Sequence, residues 1–240
     1  DEYYIWDCAA GTGNLLNGLV NKYHIWASTL DQQDVDTMKQ RIANGANLLE
    51  KHVFQFDFLN DEFVPQSQGG KIPDNLYDII TNPEKQKKLV ILINPPYAEA
   101  TNARTARGTG QNRKGLSNTT KIHQETISHI GAAAKELFAQ FMARIYITMP
   151  NCTLAIFSKT KFIQGSNFSD FRKFFKAKYL GGFAVPAYTF DNVTGKFPIA
   201  FTIWNCATKE QISDVKCDVY DDYGILIGQK LFRNDESERI

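Results

Sequence analysis

The chain has no Cys-x-x-Cys pair, and its four cysteines (Cys8, Cys152, Cys206 and Cys217) and four histidines share no ligand spacing. This excludes the usual zinc frameworks and a disulfide scaffold, and it predicts a reduced, cytoplasmic, metal-free protein. No apolar run approaches the ~20 residues that span a bilayer, and no signal peptide is read, so no membrane partner is expected. Asn-x-Ser matches such as Asn167-Phe168-Ser169 are then chance. Acidic residues are missing altogether between Ala100 and Gln124, where Arg104, Arg107, Arg113, Lys114 and Lys121 fall. A formal net charge of +1 conceals that local positive field.

What is present fits one large α/β unit. With 240 residues, 43% of them hydrophobic, the chain can bury a full core. Short apolar runs predict strands at 3–6, 25–30, 53–56, 89–93, 153–157, 182–185 and 199–204, with a weaker candidate at 76–80. Further strands are expected at 215–220 and 225–232. Helical spacing predicts helices at about 14–22, 34–49, 127–141 and 168–175. Strands alternating with helices point to a parallel sheet covered on both faces, with ligands at the carboxyl ends of its strands.

The first strand ends in Asp7-Cys8-Ala9-Ala10-Gly11-Thr12-Gly13-Asn14. Two glycines permit a tight turn and close approach of a ligand to the backbone. The third glycine of the dinucleotide fingerprint is lacking, since Leu16 stands there, and Asp7 would repel a pyrophosphate. A nicotinamide dehydrogenase is therefore disfavoured, and a nucleoside cofactor with a cationic group, S-adenosylmethionine, fits better. The second strand ends at Asp31, positioned to take ribose hydroxyls, and the third at Asp57-Phe58, an acceptor for an amine beside an aromatic ring. Each acid also has a plainer reading, as the end of a strand or a cap.

Asn-Pro occurs twice, at 82–83 and 94–95. At 82 it precedes a polar run and reads as a turn. At 94 it follows the uninterrupted run Leu89–Ile93 and continues as Asn94-Pro95-Pro96-Tyr97. Successive prolines hold Asn94 and Pro95 extended, presenting a carbonyl and the Asn amide as rigid acceptors beside an aromatic platform. That arrangement suits an amine on a planar ring or an amide. Accepting both hydrogens frees the nitrogen lone pair, so orientation supplies most of the catalysis, with no metal and no strong base.

In this order, Asp7-x-Ala9-x-Gly11-x-Gly13, Asp31, Asp57-Phe58 and Asn94-Pro95-Pro96-Tyr97 resemble the class I S-adenosylmethionine-dependent amino-methyltransferases. They are most similar to bacterial DNA adenine-N6 methyltransferases of restriction–modification systems, over about residues 3–205. The resemblance implies a Rossmann-like fold with a mostly parallel seven-stranded sheet and helices on both faces. It implies a methionine-side site at Asp7, Ala9, Gly11 and Gly13, a ribose acid at Asp31 and an adenine site at Asp57 and Phe58. Asn94, Pro95, Pro96 and Tyr97 become catalytic. Phe197, at the start of the last strand of the hairpin, is similar to the aromatic that meets the other face of a flipped base; it can equally be a core aromatic.

Residues 1–205 are expected to form the catalytic domain, with 98–121 a basic loop and 206–240 an extension. A base inside a duplex must be flipped out to reach a strand-end pocket, and phosphate contacts from Arg104, Arg107 and Arg113 would help. A solvated loop is the alternative. Two departures from the family, the start close to the first strand and the short tail after Asn205, suggest a fragment of a longer restriction–methylation enzyme. Its target-recognition domain or specificity subunit would be separate, with weakened cofactor affinity and sequence-specific DNA binding lost. Methylation of RNA or of a protein glutamine stays open, as does a non-catalytic DNA-binding module.

Overall fold

The computed structural model describes residues 2–97, 118–190 and 197–234. Strands β1 (Tyr4–Asp7) and β2 (Ile25–Thr29) are followed by helix α1 (Gln32–Ala43) and strand β3 (Val53–Gln55). Helices α2 (Asp74–Thr81) and α3 (Pro83–Gln86) then lead into β4 (Leu89–Ile93). Helices α4 (Lys121–Ile130) and α5 (Leu137–Thr148) precede β5 (Thr153–Lys159), helix α6 (Lys161–Gln164) and helix α7 (Ser169–Phe174). Strands β6 (Lys178–Pro186), β7 (Pro198–Asn205), β8 (Asp214–Tyr220) and β9 (Leu226–Arg233) complete the order.

The nine strands of the described residues form one sheet in the order β3-β2-β1-β4-β5-β7-β6-β8-β9. The sheet is mixed and nine-stranded, which corrects the expectation of seven mostly parallel strands. β1 to β5 pair in parallel, β7 runs against both β5 and β6, and β9 runs against β8. The reason lies in the connections. The links from β6 to β7 and from β8 to β9 are too short for a helical crossover, so each pair closes as antiparallel neighbours. At the β8–β9 turn, Asp221 accepts from the backbone of Tyr223 and Ile225.

Alternate residues of the central strands feed two cores. Trp6, Trp26 and Phe54 face the larger one, whereas Ile25, Ala27 and Val53 face α1 with Val35 and Met38. A strand buried on both faces must be apolar on both, which is why these runs do not alternate with polar residues. The strand order reverses between β1 and β4, each flanked by parallel neighbours on both sides. That switch opens a crevice beyond the carboxyl ends of the two strands.

Three local expectations differ. Residues 14–22 form no α-helix, only a 3-10 turn at Asn14–Leu16 and the start of another at Lys22–His24, because Gly18 takes a positive φ of 88° and turns the chain away. The weak strand candidate at 76–80 is helix α2. Leu76, Ile79 and Ile80 are its buried face and Asp78, which interrupts the apolar run, is exposed. The expected helix at 127–141 is two helices, α4 and α5, parted by a 3-10 turn at Gly131–Lys135. No helix among the described residues is long and apolar enough to cross a membrane.

Candidate functional site

A cavity of about 360 Å³ sits at the switch point, lined by Ala9 and Gly11 after β1, Asp31 after β2, and Phe56 to Asn60 after β3. Pro96 after β4 also lines it. Four successive strand ends therefore converge on one concavity, and its size falls in the range of about 300–1,000 Å³ usual for small-ligand sites.

The loop after β1 is held from below. Asp7 is buried, and one carboxylate oxygen accepts from the Ala9 amide at 3.0 Å. Burial pushes its carboxyl from 3.8 up to about 7, against the pull of that amide. The Ala10 amide donates to Ser28 at 3.0 Å, and Arg41 of α1 donates to the Thr12 carbonyl at 2.8 Å. Gly13 has φ 81°, a conformation that L side chains rarely adopt, and a Cβ there would lie 3.2 Å from the Met38 side chain of α1, which would have to shift by a few tenths of an ångström.

Asp31 stands at the N-cap of α1, yet its side chain makes no capping hydrogen bond and is exposed, leaving the carboxylate open to the cavity. Asp57 is committed differently: its oxygens accept from the Leu59 amide at 3.1 Å and from Asn60 Nδ2 at 2.8 Å, building the turn after β3. Phe58 stacks on Phe141, with centroids 5.2 Å apart and planes at 6°, and meets the edge of Trp6. One of its faces is thus already covered.

Several contributors escaped the sequence reading. Leu137 and Phe141, which the sequence reading placed only within a helix at 127–141, line the cavity along with Thr119 and Thr120. Arg144 of α5 donates to the carbonyls of Phe58 and Asp61, and its guanidinium lies 4.7 Å from the Phe63 ring. The Lys121 amide donates to Asn60 Oδ1 at 2.9 Å, and the Lys121 ammonium pairs with Glu62. The turn after β3 is thereby clasped by α4 and α5. Only the spacing of Phe141 within an amphipathic run hinted at this; the partners are far apart in sequence.

At the end of β4, the Tyr97 hydroxyl donates to the amide oxygen of Asn94. Burial raises the Tyr97 hydroxyl above the usual phenol range. Its ring meets Phe190 edge-on at 6.4 Å, and Phe190 in turn meets Phe157 of β5 at 5.5 Å. Phe197, just before β7, is half-buried, with the Lys159 ammonium 5.7 Å from its ring centre. Since Ile199 pairs with Lys159, and Ile93 with Ile156, Phe197 and Asn94–Tyr97 share the carboxyl edge of β4 and β5.

Six of the expected residues, Ala9, Gly11, Asp31, Asp57, Phe58 and Pro96, line the one cavity. Asp7 lies beneath it, Gly13 lines a separate hollow against α1, and Asn94, Pro95 and Tyr97 stand beside Pro96 without lining it. Arg104, Arg107 and Arg113 lie outside the described residues. No cluster of metal-binding side chains occurs among the described residues. Asn82 is the N-cap of α3, accepting from the Glu84 amide at 2.9 Å, with Pro83 in the first turn.

No protein-family model and no curated protein matches the chain. Among solved structures, it is similar to DrdV in its complex with DNA, at TM-score 0.58 and 15% identity over 92% of this chain and 24% of that one. It is also similar to the type IIL restriction–modification enzyme MmeI bound to DNA, at TM-score 0.53 and 13% identity, covering 97% of this chain and 34% of the other. A type I restriction–modification methyltransferase subunit from Streptococcus thermophilus matches at TM-score 0.52 and 16% identity, covering 91% and 42%. The chain spans less than half of each of these proteins. The fold is thus one found in restriction–modification enzymes and in a methyltransferase subunit of such a system.

Proposed function

We propose that the chain is the catalytic unit of a DNA adenine-N6 methyltransferase that uses S-adenosylmethionine within a restriction–modification system. The observation that carries this reading is the adjacency of two features. Asn94-Pro95-Pro96-Tyr97 stands at the end of β4, and Pro96 reaches the cavity that also holds Ala9, Gly11, Asp31, Asp57 and Phe58.

The donor set suits the cofactor. The open Asp31 carboxylate is a ribose acceptor, the open space beside Gly11, where a Cβ would meet nothing within 4 Å, admits a ligand to the backbone, and the buried Asp7 lends negative charge beneath a cationic group. Phe56, Phe58, Leu137 and Phe141 supply an apolar wall for a purine. When bound, S-adenosylmethionine supplies a methyl group already activated by its sulfonium.

The residues at β4 then handle the target. The Asn94 amide oxygen and the Pro95 carbonyl accept the two hydrogens of an exocyclic amine, which localises the nitrogen lone pair toward the cavity. The Tyr97 ring stacks on the base, and its hydroxyl releases the Asn94 oxygen when the amine arrives. Phe197 borders the other side of the base. Orientation, with both acceptors preset by the rigid prolines, lowers the barrier.

Double-stranded DNA is the substrate this reading assigns, in line with the DNA complexes of DrdV and MmeI. The test is methyl-labelled cofactor offered to DNA, RNA and protein extracts. Label in DNA alone supports the proposal, whereas label in RNA or protein alone redirects it.

A further inference from the structure

Tyr97 is restrained at two points. Its hydroxyl donates to Asn94, and its ring meets Phe190 edge-on, with centroids 6.4 Å apart and planes at 70°. We propose that Phe190 is a positioning residue for the target base, acting through the ring of Tyr97. This rests on the methyl-transfer reading above and adds to it a role that the sequence analysis did not find.

Position comes first. Phe190 follows β6 through a 3-10 turn at Ala187–Thr189, where its amide donates to the Ala187 carbonyl at 3.1 Å. The Ala187 amide in turn donates to the Phe197 carbonyl at 3.0 Å, and Pro186 pairs with Pro198. A short run of backbone contacts therefore ties Phe190 to the start of β7, beside Phe197. Behind Phe190 stands Phe157 of β5, with ring centres 5.5 Å apart, and Phe157 packs on Phe201 of β7 at 4.7 Å. Phe201 pairs with Phe157 on one side and with Phe183 of β6 on the other. The ring against Tyr97 thus leans on hydrogen-bonded sheet.

Chemistry comes second. On the reading above, the incoming amine takes over the Asn94 oxygen, so the hydroxyl restraint on Tyr97 ends when the base binds. The contact with Phe190 does not compete with the amine and persists. Among the described residues, Phe190 is the one aromatic ring that meets Tyr97. An edge-to-face pair sets the angle between its rings as well as their distance, because the positive edge of one seeks the negative face of the other. The plane of Tyr97 is the plane on which the base stacks, and a tilt there turns the amine off the line to the methyl group. An aliphatic side chain of similar volume would fill the space without setting that angle.

The test is steady-state transfer from methyl-labelled S-adenosylmethionine to unmethylated genomic DNA by the intact polypeptide. Phe190→Leu should lower kcat about two- to tenfold, the worth of one aromatic pair, with KM for cofactor and for DNA within about twofold of wild type. Tyr97→Ala removes the ring through which Phe190 acts, so adding Phe190→Leu to Tyr97→Ala should cost nothing further. A double variant whose loss equals the product of the two single losses overturns the positioning role. So does an unchanged kcat in Phe190→Leu, or a loss confined to KM. All three results leave methylation of DNA untouched. Failure of the wild-type protein to methylate DNA overturns the functional reading, and the role of Phe190 with it.

Discussion

The Tyr97 hydroxyl donates its hydrogen to the Asn94 amide oxygen, the very acceptor assigned to the target amine. The site therefore satisfies its own acceptor before a base arrives. Exchange of one hydrogen bond for another keeps a half-buried carbonyl paired throughout, which avoids the penalty of an unsatisfied acceptor.

From this it follows that Tyr97→Phe keeps the stacking face and removes the competing donor. Its kcat/KM for methyl transfer should stay within about threefold of wild type, with any change toward tighter DNA binding. Tyr97→Ala loses the stacking surface, worth about 1–3 kcal/mol, and should lose roughly tenfold or more. Steady-state kinetics on one duplex separates the two. Equal, large losses in both would mean that the hydroxyl itself takes part in the reaction.

Asn94 and Asn82 should part company. Asn94→Ala removes an acceptor for the reacting amine and should lower kcat by about 10²–10³-fold without shifting the melting temperature much. Asn82→Ala removes the α3 cap, costing about 1 kcal/mol of stability, with activity retained. Thermal melts and turnover measured side by side check both halves.

Arg144 should matter through the turn it holds. Lysine cannot reproduce the fork that reaches both the Phe58 and Asp61 carbonyls. Arg144→Lys should destabilise the protein by about 1–3 kcal/mol and raise KM for the cofactor more than it lowers kcat. A fall in kcat with an unchanged cofactor KM would remove the positioning role.

Asp7 gives a pH signature. Its folded-state pKa is raised from 3.8 to about 7, so the folded protein binds the proton more tightly than the unfolded one. That contribution is fully present below about pH 4 and is lost as pH rises through 7, a decline of roughly 3–5 kcal/mol in all. Asp7→Asn cannot ionise, so its stability should overtake that of wild type between pH 6 and pH 8. Urea unfolding across that window measures the crossing. A cationic ligand above Asp7 would favour the ionised form, so wild-type cofactor affinity should rise over the same range and Asp7→Asn should respond little.

Much of this was legible in the sequence, for identifiable reasons. Leu89–Ile93 announced a buried strand by its unbroken apolar run, and the two prolines after Asn94 fixed the strand end. Asp31 was found because strand, acid and helix follow one another locally. Residues 76–80 were misread because a helix of eight residues offers barely two turns, too few for a 3.6-residue period to outweigh an apolar run. The roles of Leu137, Phe141 and Arg144, and the place of Phe190 against Tyr97, depend on elements that meet only in the folded sheet. No local pattern encodes which wall of a helix faces a cavity. The strands at 215–220 and 225–232 were themselves expected; the seven-stranded sheet came from the resemblance, and no local pattern shows that these two join the same sheet beside β6.

The most direct measurement is nucleoside analysis of duplex DNA incubated with the intact protein and methyl-labelled S-adenosylmethionine. The account predicts N6-methyladenine as the labelled nucleoside, formed about 10²–10³-fold more slowly by Asn94→Ala and at the wild-type rate by Asn82→Ala. Label on another base, or N6-methyladenine formed by Asn94→Ala at the wild-type rate, would contradict it.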